Sequence, residues 1–145
     1  MDNRLSVFID TNIILDYIQK RPEGFNEAVI IFDLSAKEYI NLMVSDLSIA
    51  NMKYSTRKVI PLSEFYETIL GIRELFTIVP VGENAVDRAL EIKTRDFEDA
   101  LQYFSAEQAG ADCVVTRNIK DFDFASTVET LEARDFLKKY FPEEI

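Results

Sequence analysis

The sequence predicts a three-layer α/β/α fold, a parallel sheet wrapped on both faces by helices, in one domain spanning residues 1–145. Three observations predict it. Short apolar runs ending at polar turns alternate along the chain with spans of helical periodicity. Strands and helices alternating in this way make right-handed crossovers, and hence a parallel sheet. No internal repeat, low-complexity tract or Pro/Gly-rich linker divides the 145 residues, a length that buries one sizeable core.

The elements follow in order. Leu5 to Ile9 reads as a buried strand, followed by a helix to about Lys20 that Thr11 or Asn12 can cap. Ile14, Tyr17 and Ile18 share one face of it, and Arg21-Pro22-Glu23-Gly24 breaks it. Phe25 to about Lys37 carries Phe25, Val29, Phe32 and Ala36 at helical spacing, with Asp33 and Lys37 as an i,i+4 pair. Ile40 to Val44 is a short strand, and Ser45 or Asp46 caps the helix after it. Lys53, Arg57 and Lys58 lie near that helix's C-terminus, which suits positive charge. Beyond Pro61, Ser63 is the expected cap of a helix to about Leu75, followed by a strand over Phe76 to Val81. Asn84 to about Lys93 forms a short helix with Val86, Ala89 and Leu90 expected inward. A helix from Asp96 ends at Gly110, with Ala100, Leu101, Phe104 and Ala109 toward the core. Asp112 to Thr116 is a buried strand, Thr127 to Glu129 an edge strand, and Glu132 to Tyr140 a terminal helix.

Composition removes many chemistries. The chain has no histidine, which eliminates Ser-His-Asp and Cys-His hydrolases, imidazole acid-base nucleases and His-ligated zinc. Its single cysteine, Cys113, cannot form an internal disulfide and sits in an apolar run as an expected core residue. Carboxylate-and-metal, Lys, Tyr or Ser/Thr chemistry remains. No stretch reaches the roughly 18 uncharged apolar residues of a membrane span, and the N-terminus lacks a signal peptide's pattern. No membrane partner is therefore expected, and a cytoplasmic location is. A formal net charge of -10 argues against coating nucleic acid by bulk electrostatics. It is compatible with a carboxylate pocket neutralised locally by cations.

Acids and amides stand where strands stop or helices begin. Asp10-Thr11-Asn12 follows the first strand, Asp96, Glu98 and Asp99 open a helix, and Thr116-Arg117-Asn118 with Asp121-Phe122 follows a late strand. The carboxyl ends of strands in a parallel sheet converge on one crevice, and carboxylates gathered there repel unless a cation holds them. Oxygen-rich sites suit Mg2+ or Mn2+. Each cluster also has a plainer reading. Asp10 can cap a helix, acids in a first turn complement the helix dipole, and Asn118 can make an ordinary turn with Phe122 plugging the core. Asp96 and Asp99, at i and i+3, share a face, and Asp99 borders the apolar Ala100-Leu101. Thr116 and Asn118 can orient a carboxylate or bound water, and Arg117 and Lys120 can meet a phosphate.

In this order and on these elements, the three clusters resemble a PIN domain, the nuclease domain of VapC-like toxins and related ribonucleases, over essentially the whole chain. The resemblance implies Mg2+- or Mn2+-dependent hydrolysis of RNA phosphodiesters, leaving 5′-phosphate and 3′-hydroxyl ends. It implies metal ligands at Asp10, Asp99 and Asp121, with Asp96 beside them. Thr11, Asn12, Ser45, Asn51, Thr116 and Asn118 would support them, and Arg117 and Lys120 would contact RNA. An antitoxin protein and a homodimer are the implied partners. Ser45, Ser48 and Asn51 match the family's Ser-x-x-Thr-x-x-Glu stretch, except that Asn51 stands where glutamate is usual. Asparagine keeps an oxygen ligand but loses a full charge. The chain is therefore expected either to cleave with its aspartates or to be a degenerate scaffold that binds without cleaving. An aspartyl-nucleophile phosphatase needs Asp-x-Asp after the first strand, which Asp10-Thr11-Asn12 does not supply.

Overall fold

The computed structural model describes residues 3–145, the expected domain less its first two residues. Among them the strands are β1 (Leu5–Ile9), β2 (Ile40–Ser45), β3 (Thr77–Val79), β4 (Cys113–Val115) and β5 (Glu129–Leu131). They form one parallel sheet in the order β3-β2-β1-β4-β5. The helices are α1 (Thr11–Ile18), α2 (Phe25–Ala36), α3 (Asp46–Thr56), α4 (Leu62–Ile72), α5 (Gly82–Ile92), α6 (Phe97–Gln108) and α7 (Ala133–Tyr140).

The two-residue period of the strands sorts their side chains into two cores. Val7 and Ile9 of β1, Leu42 and Val44 of β2, and Cys113 and Val115 of β4 face Ile14, Phe32, Met52, Phe65 and Phe136. The intervening Phe8, Met43 and Val114 face the other way, onto Ala85, Ala89, Ala100, Tyr103 and Phe104 of α5 and α6. Both faces of the central strands are therefore covered, which is why these strands read as unbroken apolar runs. Burial of this kind stabilises by about 1.5–3 kcal/mol per large side chain. Cys113 is fully buried in this core, and burial pushes its thiol up to about 12, so it is inert packing.

Starting from central β1, the chain builds outward through β2 and β3, then crosses to β4 and β5 on the other side. The connections leaving β1 and β4 therefore diverge, and a crevice opens between their carboxyl ends. Asp10 and Thr116, the residues just past those ends, stand at its mouth, where the Asp10 backbone N–H donates to the Val115 carbonyl at 3.0 Å.

Three details differ from the sequence expectations. Helix α4 starts one residue after Pro61, which is its N-cap, and Ser63 lies inside it without capping. Proline's fixed φ suits the entry to a helix and leaves the cap without a side-chain hydrogen bond. Helix α5 is turned from the orientation expected. Ala89 is buried as expected, but with Ala85 beside it, whereas Val86 is on the exposed side and Leu90 is 58% exposed. Small side chains let α5 lie close to α6, and that contact outweighs the larger stripe one residue along. Strand β3 is shorter than Phe76 to Val81, and the edge strand begins two residues later than Thr127.

Candidate metal centre

Asp10 leaves β1 in extended conformation and is itself the N-cap of α1, accepting from the Thr11 backbone N–H at 2.7 Å. The capping role expected of Thr11 or Asn12 therefore belongs to Asp10. Capping uses Asp10 Oδ1, and Oδ2 accepts from the Thr116 hydroxyl at 2.9 Å. Thr116 also accepts from the Asn118 backbone N–H, so the ends of β1 and β4 are tied through two side chains. Burial raises the Asp10 carboxyl above its ordinary value, the two hydrogen bonds pull it back, and Asp96 and Glu98 raise it further.

Asp96 caps α6, accepting from the Asp99 backbone N–H at 3.0 Å. Asp99, one turn on, is 5% exposed, and its Oδ2 is a buried atom with no hydrogen-bond partner among the described residues. Carboxylate oxygens of Asp96, Asp99 and Asp121 lie within 4.8 Å of one another. Burial, followed by the charges of Asp10, Asp96, Asp121 and Glu98, pushes the Asp99 carboxyl up to about 8. Without a cation this group holds its proton at neutral pH. An orphaned carboxylate oxygen among other acids is the arrangement a hard divalent ion relieves.

The expected ligands are divided between two adjoining cavities. Asp10, Asp96, Asp99, Glu98, Asn12 and Asn51 line one of about 360 Å3, with Asn118 at its edge. Asp121 lines the neighbouring one, of about 400 Å3, which shares Asn118. Asn51 is half-buried on α3 and borders the same cavity as Asp10 and Asp99. Asn12 accepts from Arg21 at 3.5 Å.

Beneath the acids lies a polar network centred on a residue the sequence reading did not single out, Gln102. Its Oε1 accepts from the Ser45 hydroxyl at 2.7 Å, and its Nε2 donates to Ser48 at 2.9 Å and Thr11 at 3.3 Å. Thr11 and Ser48 are themselves 2.8 Å apart. Ser45 also caps α3 through the Ser48 backbone N–H. One buried amide thus joins α1, β2, α3 and α6, fixing the helix that carries Asp99 against the one that carries Asn51. Its signal in the sequence was a glutamine enclosed by Ala100, Leu101, Tyr103 and Phe104.

Arg117 has a partner that its place in the chain did not show. Rather than standing free for phosphate, its guanidinium donates to Asp16 Oδ1 at 2.7 Å. Asp16 is 1% exposed on α1, and Arg21 stands 3.8 Å from the same oxygen. A buried carboxylate requires countercharge, and two arginines supply it. Gly24 closes over this acid so tightly that a Cβ there would sit 2.2 Å from Asp16 Oδ2. An acid inside Ile13-Ile14-Leu15-Asp16-Tyr17-Ile18 was the signal for such a pair. Lys120 is exposed beside the second cavity. There Arg95, also missed, bonds Asp121 at 2.8 Å.

A family model for the PIN domain matches residues 6–120. The chain belongs to the PIN domain family. Solved structures similar in fold to this PIN domain include VapBC2 from Rickettsia felis bound to a DNA fragment from their promoter. That match is 18% identical with a TM-score of 0.67, covering 88% of this chain and 98% of that one. DNA-bound VapBC from Salmonella typhimurium is 17% identical with a TM-score of 0.68, covering 89% and 98%. A toxin-antitoxin complex from Klebsiella pneumoniae is 18% identical with a TM-score of 0.64, covering 88% and 97%. At such identities the likeness is one of fold. No curated protein matches the sequence. The acid cluster of this PIN domain offers only oxygen donors, which suits a hard divalent cation.

Proposed function

We propose that residues 1–145 act as one PIN domain that hydrolyses RNA phosphodiester bonds with Mg2+ or Mn2+. The observation that carries this is the partnerless Asp99 Oδ2, buried where three carboxylates gather at the switch point of a parallel sheet. Asp99 and Asp121, with Asp96 beside them and Asp10 in the adjoining wall, would hold the ion. When bound, the ion lowers the pKa of a water and offsets charge on the phosphate. The chain's own residues do the rest. Thr116 fixes the Asp10 carboxylate by hydrogen bonding Oδ2, and the Asp96 cap sets the first turn of α6 and with it Asp99. Asn118, at the boundary of the two cavities, is placed to orient a phosphate oxygen or water. No protein nucleophile is required.

The fold is that of toxin-antitoxin complexes, and we read this chain as the toxin of such a pair, restrained by an antitoxin protein and able to pair with a second copy. Among the described residues no helix is long and apolar enough to cross a membrane. A cytoplasmic site of action suits an RNA substrate.

Asn51 favours a second reading, a scaffold that binds RNA or protein without cutting, because a neutral amide lines the acidic cavity where the family usually has glutamate. Incubating the purified protein with single-stranded and structured RNA, with Mn2+ or with EDTA, separates the two. Cleavage should require the metal and fall at least about a hundredfold in Asp99→Asn and Asp10→Asn. Cleavage that persists in those variants overturns the assignment. An inactive wild type made active by Asn51→Glu establishes the scaffold reading.

A further inference from the structure

The second cavity differs in charge from the first. The acidic cavity is bordered by Asp10, Asp96, Glu98 and Asp99 with no lysine or arginine. The second brings together Arg95, Arg117 and Lys120 against Asp121 and Glu132. In a chain of net charge -10, exposed basic side chains directly beside the acids offer a polyanion a local countercharge.

We propose that this cavity is a second phosphate site, in which Arg95 and Lys120 hold the backbone phosphate adjacent to the one being cut. The proposal rests on the nuclease reading above and names the part of the substrate that reading leaves unassigned. Arg117 is less free than Arg95, because its bond goes to the buried Asp16 and its side chain is only 37% exposed. Arg95 is 74% exposed, and its bond to Asp121 occupies one edge of a planar group with five donors. The remaining edge suits the paired oxygens of a phosphate. Lys120 makes no ion pair among the described residues and lies on the same cavity wall. Asn118 belongs to both cavities, so one strand of RNA can cross from one to the other without leaving the surface.

Arg95 also touches an acid of the metal cluster, and this gives the site a signature. With the divalent ion absent, Arg95 is the countercharge of Asp121. Asp96, Asp99 and Asp121 would hold the divalent ion, and Asp121 would then depend less on Arg95 for countercharge, which would favour the guanidinium's contact with phosphate. Removing Arg95 should therefore change the two affinities in opposite directions. Divalent ions should bind more tightly and RNA less tightly. Loss of a merely structural side chain would weaken both.

The test measures Mn2+ affinity calorimetrically in wild type and Arg95→Gln. It then follows binding of a single-stranded oligoribonucleotide against salt in an Asp99→Asn background, where the strand is not cut. Both side chains are exposed, so the substitutions do not challenge folding. In Arg95→Gln, Mn2+ should bind about twofold to fivefold more tightly. RNA binding should weaken about tenfold. Arg95→Gln and Lys120→Gln should each make the salt slope shallower by about 0.7, the value for one single-strand phosphate contact. Arg95→Lys should restore the slope, because it keeps the charge, and only part of the affinity. Slopes unchanged in both glutamine variants, with Mn2+ still bound, overturn the phosphate site alone. Failure of wild type to bind Mn2+ overturns the nuclease reading beneath it.

Discussion

Asp16 and Asp99 are both carboxylates almost wholly removed from water, at 1% and 5% exposure, yet their surroundings differ in kind. Asp16 is met by Arg117 and Arg21, and Gly24 seals it. Asp99 is met by further acids and keeps an oxygen with no partner. Burial raises both carboxyls, but at Asp16 the two arginines oppose the rise, whereas at Asp99 every neighbouring charge adds to it. A buried acid whose countercharge is built in serves the fold. One surrounded by further acids is raised by every neighbour, the environment in which perturbed groups mark a candidate functional site.

The comparison predicts opposite responses to removing each charge. The largest effect is expected at Asp99. Its folded-state carboxyl is raised to about 8 from 3.8, so the folded protein holds a proton that the unfolded chain releases. The Asp99 contribution to the stability of the metal-free protein should therefore be fullest below about pH 4 and be lost as pH rises through about 8. Asp99→Asn should flatten that decline and raise the thermal midpoint at pH 8 in EDTA. Mn2+ should recover stability in wild type and much less in the variant. Equal pH slopes for the two proteins would show that the acids around Asp99 do not raise its carboxyl.

Asp16→Asn should act in the opposite sense. Losing the acid leaves Arg117 and Arg21 without their partner, but both side chains reach water. The loss should be about 2 kcal/mol in denaturant unfolding, less than the full cost of breaking a wholly buried pair. A neutral or stabilising result would show that the two buried acids are not different in kind.

The smallest effect sharpens the acidic side of the contrast. Asn51→Glu adds a carboxylate to the wall that already holds Asp10 and Asp99. Mn2+ should bind about threefold to tenfold more tightly, with a lower thermal midpoint when metal-free. Affinity left unchanged would place position 51 outside the reach of the ion.

Much of this was legible along the chain because the signals are local. The apolar runs of β1, β2 and β4 and the breaks at Arg21-Pro22 and Gly110 follow from periodicity and turn chemistry. The placing of acids after β1 and at the start of α6 follows from the same signals. The orientation of α5 was not legible. Two adjacent stripes, Ala85-Ala89 and Val86-Leu90, share one period, and only the closeness of α6 decides between them. Gln102 and Asp16 were passed over for a related reason. A polar residue within an apolar run is notable only once its partners are known, and those partners lie on other elements. The Arg117 ion pair was not legible because a basic residue in a loop after a strand looks alike whether its partner is phosphate or a buried carboxylate.

The sequence by itself determined the alternation of strands and helices and the presence of oxygen ligands at their junctions, since both depend on residues within a few positions of one another. Only the tertiary structure decided which charges are matched. Asp16 and Arg117 are 101 residues apart in the chain and 2.7 Å apart in space, while Asp99 has acids as neighbours instead. Electrostatic energy depends on distance through the folded molecule and on exclusion of water, and neither is written in the order of the residues.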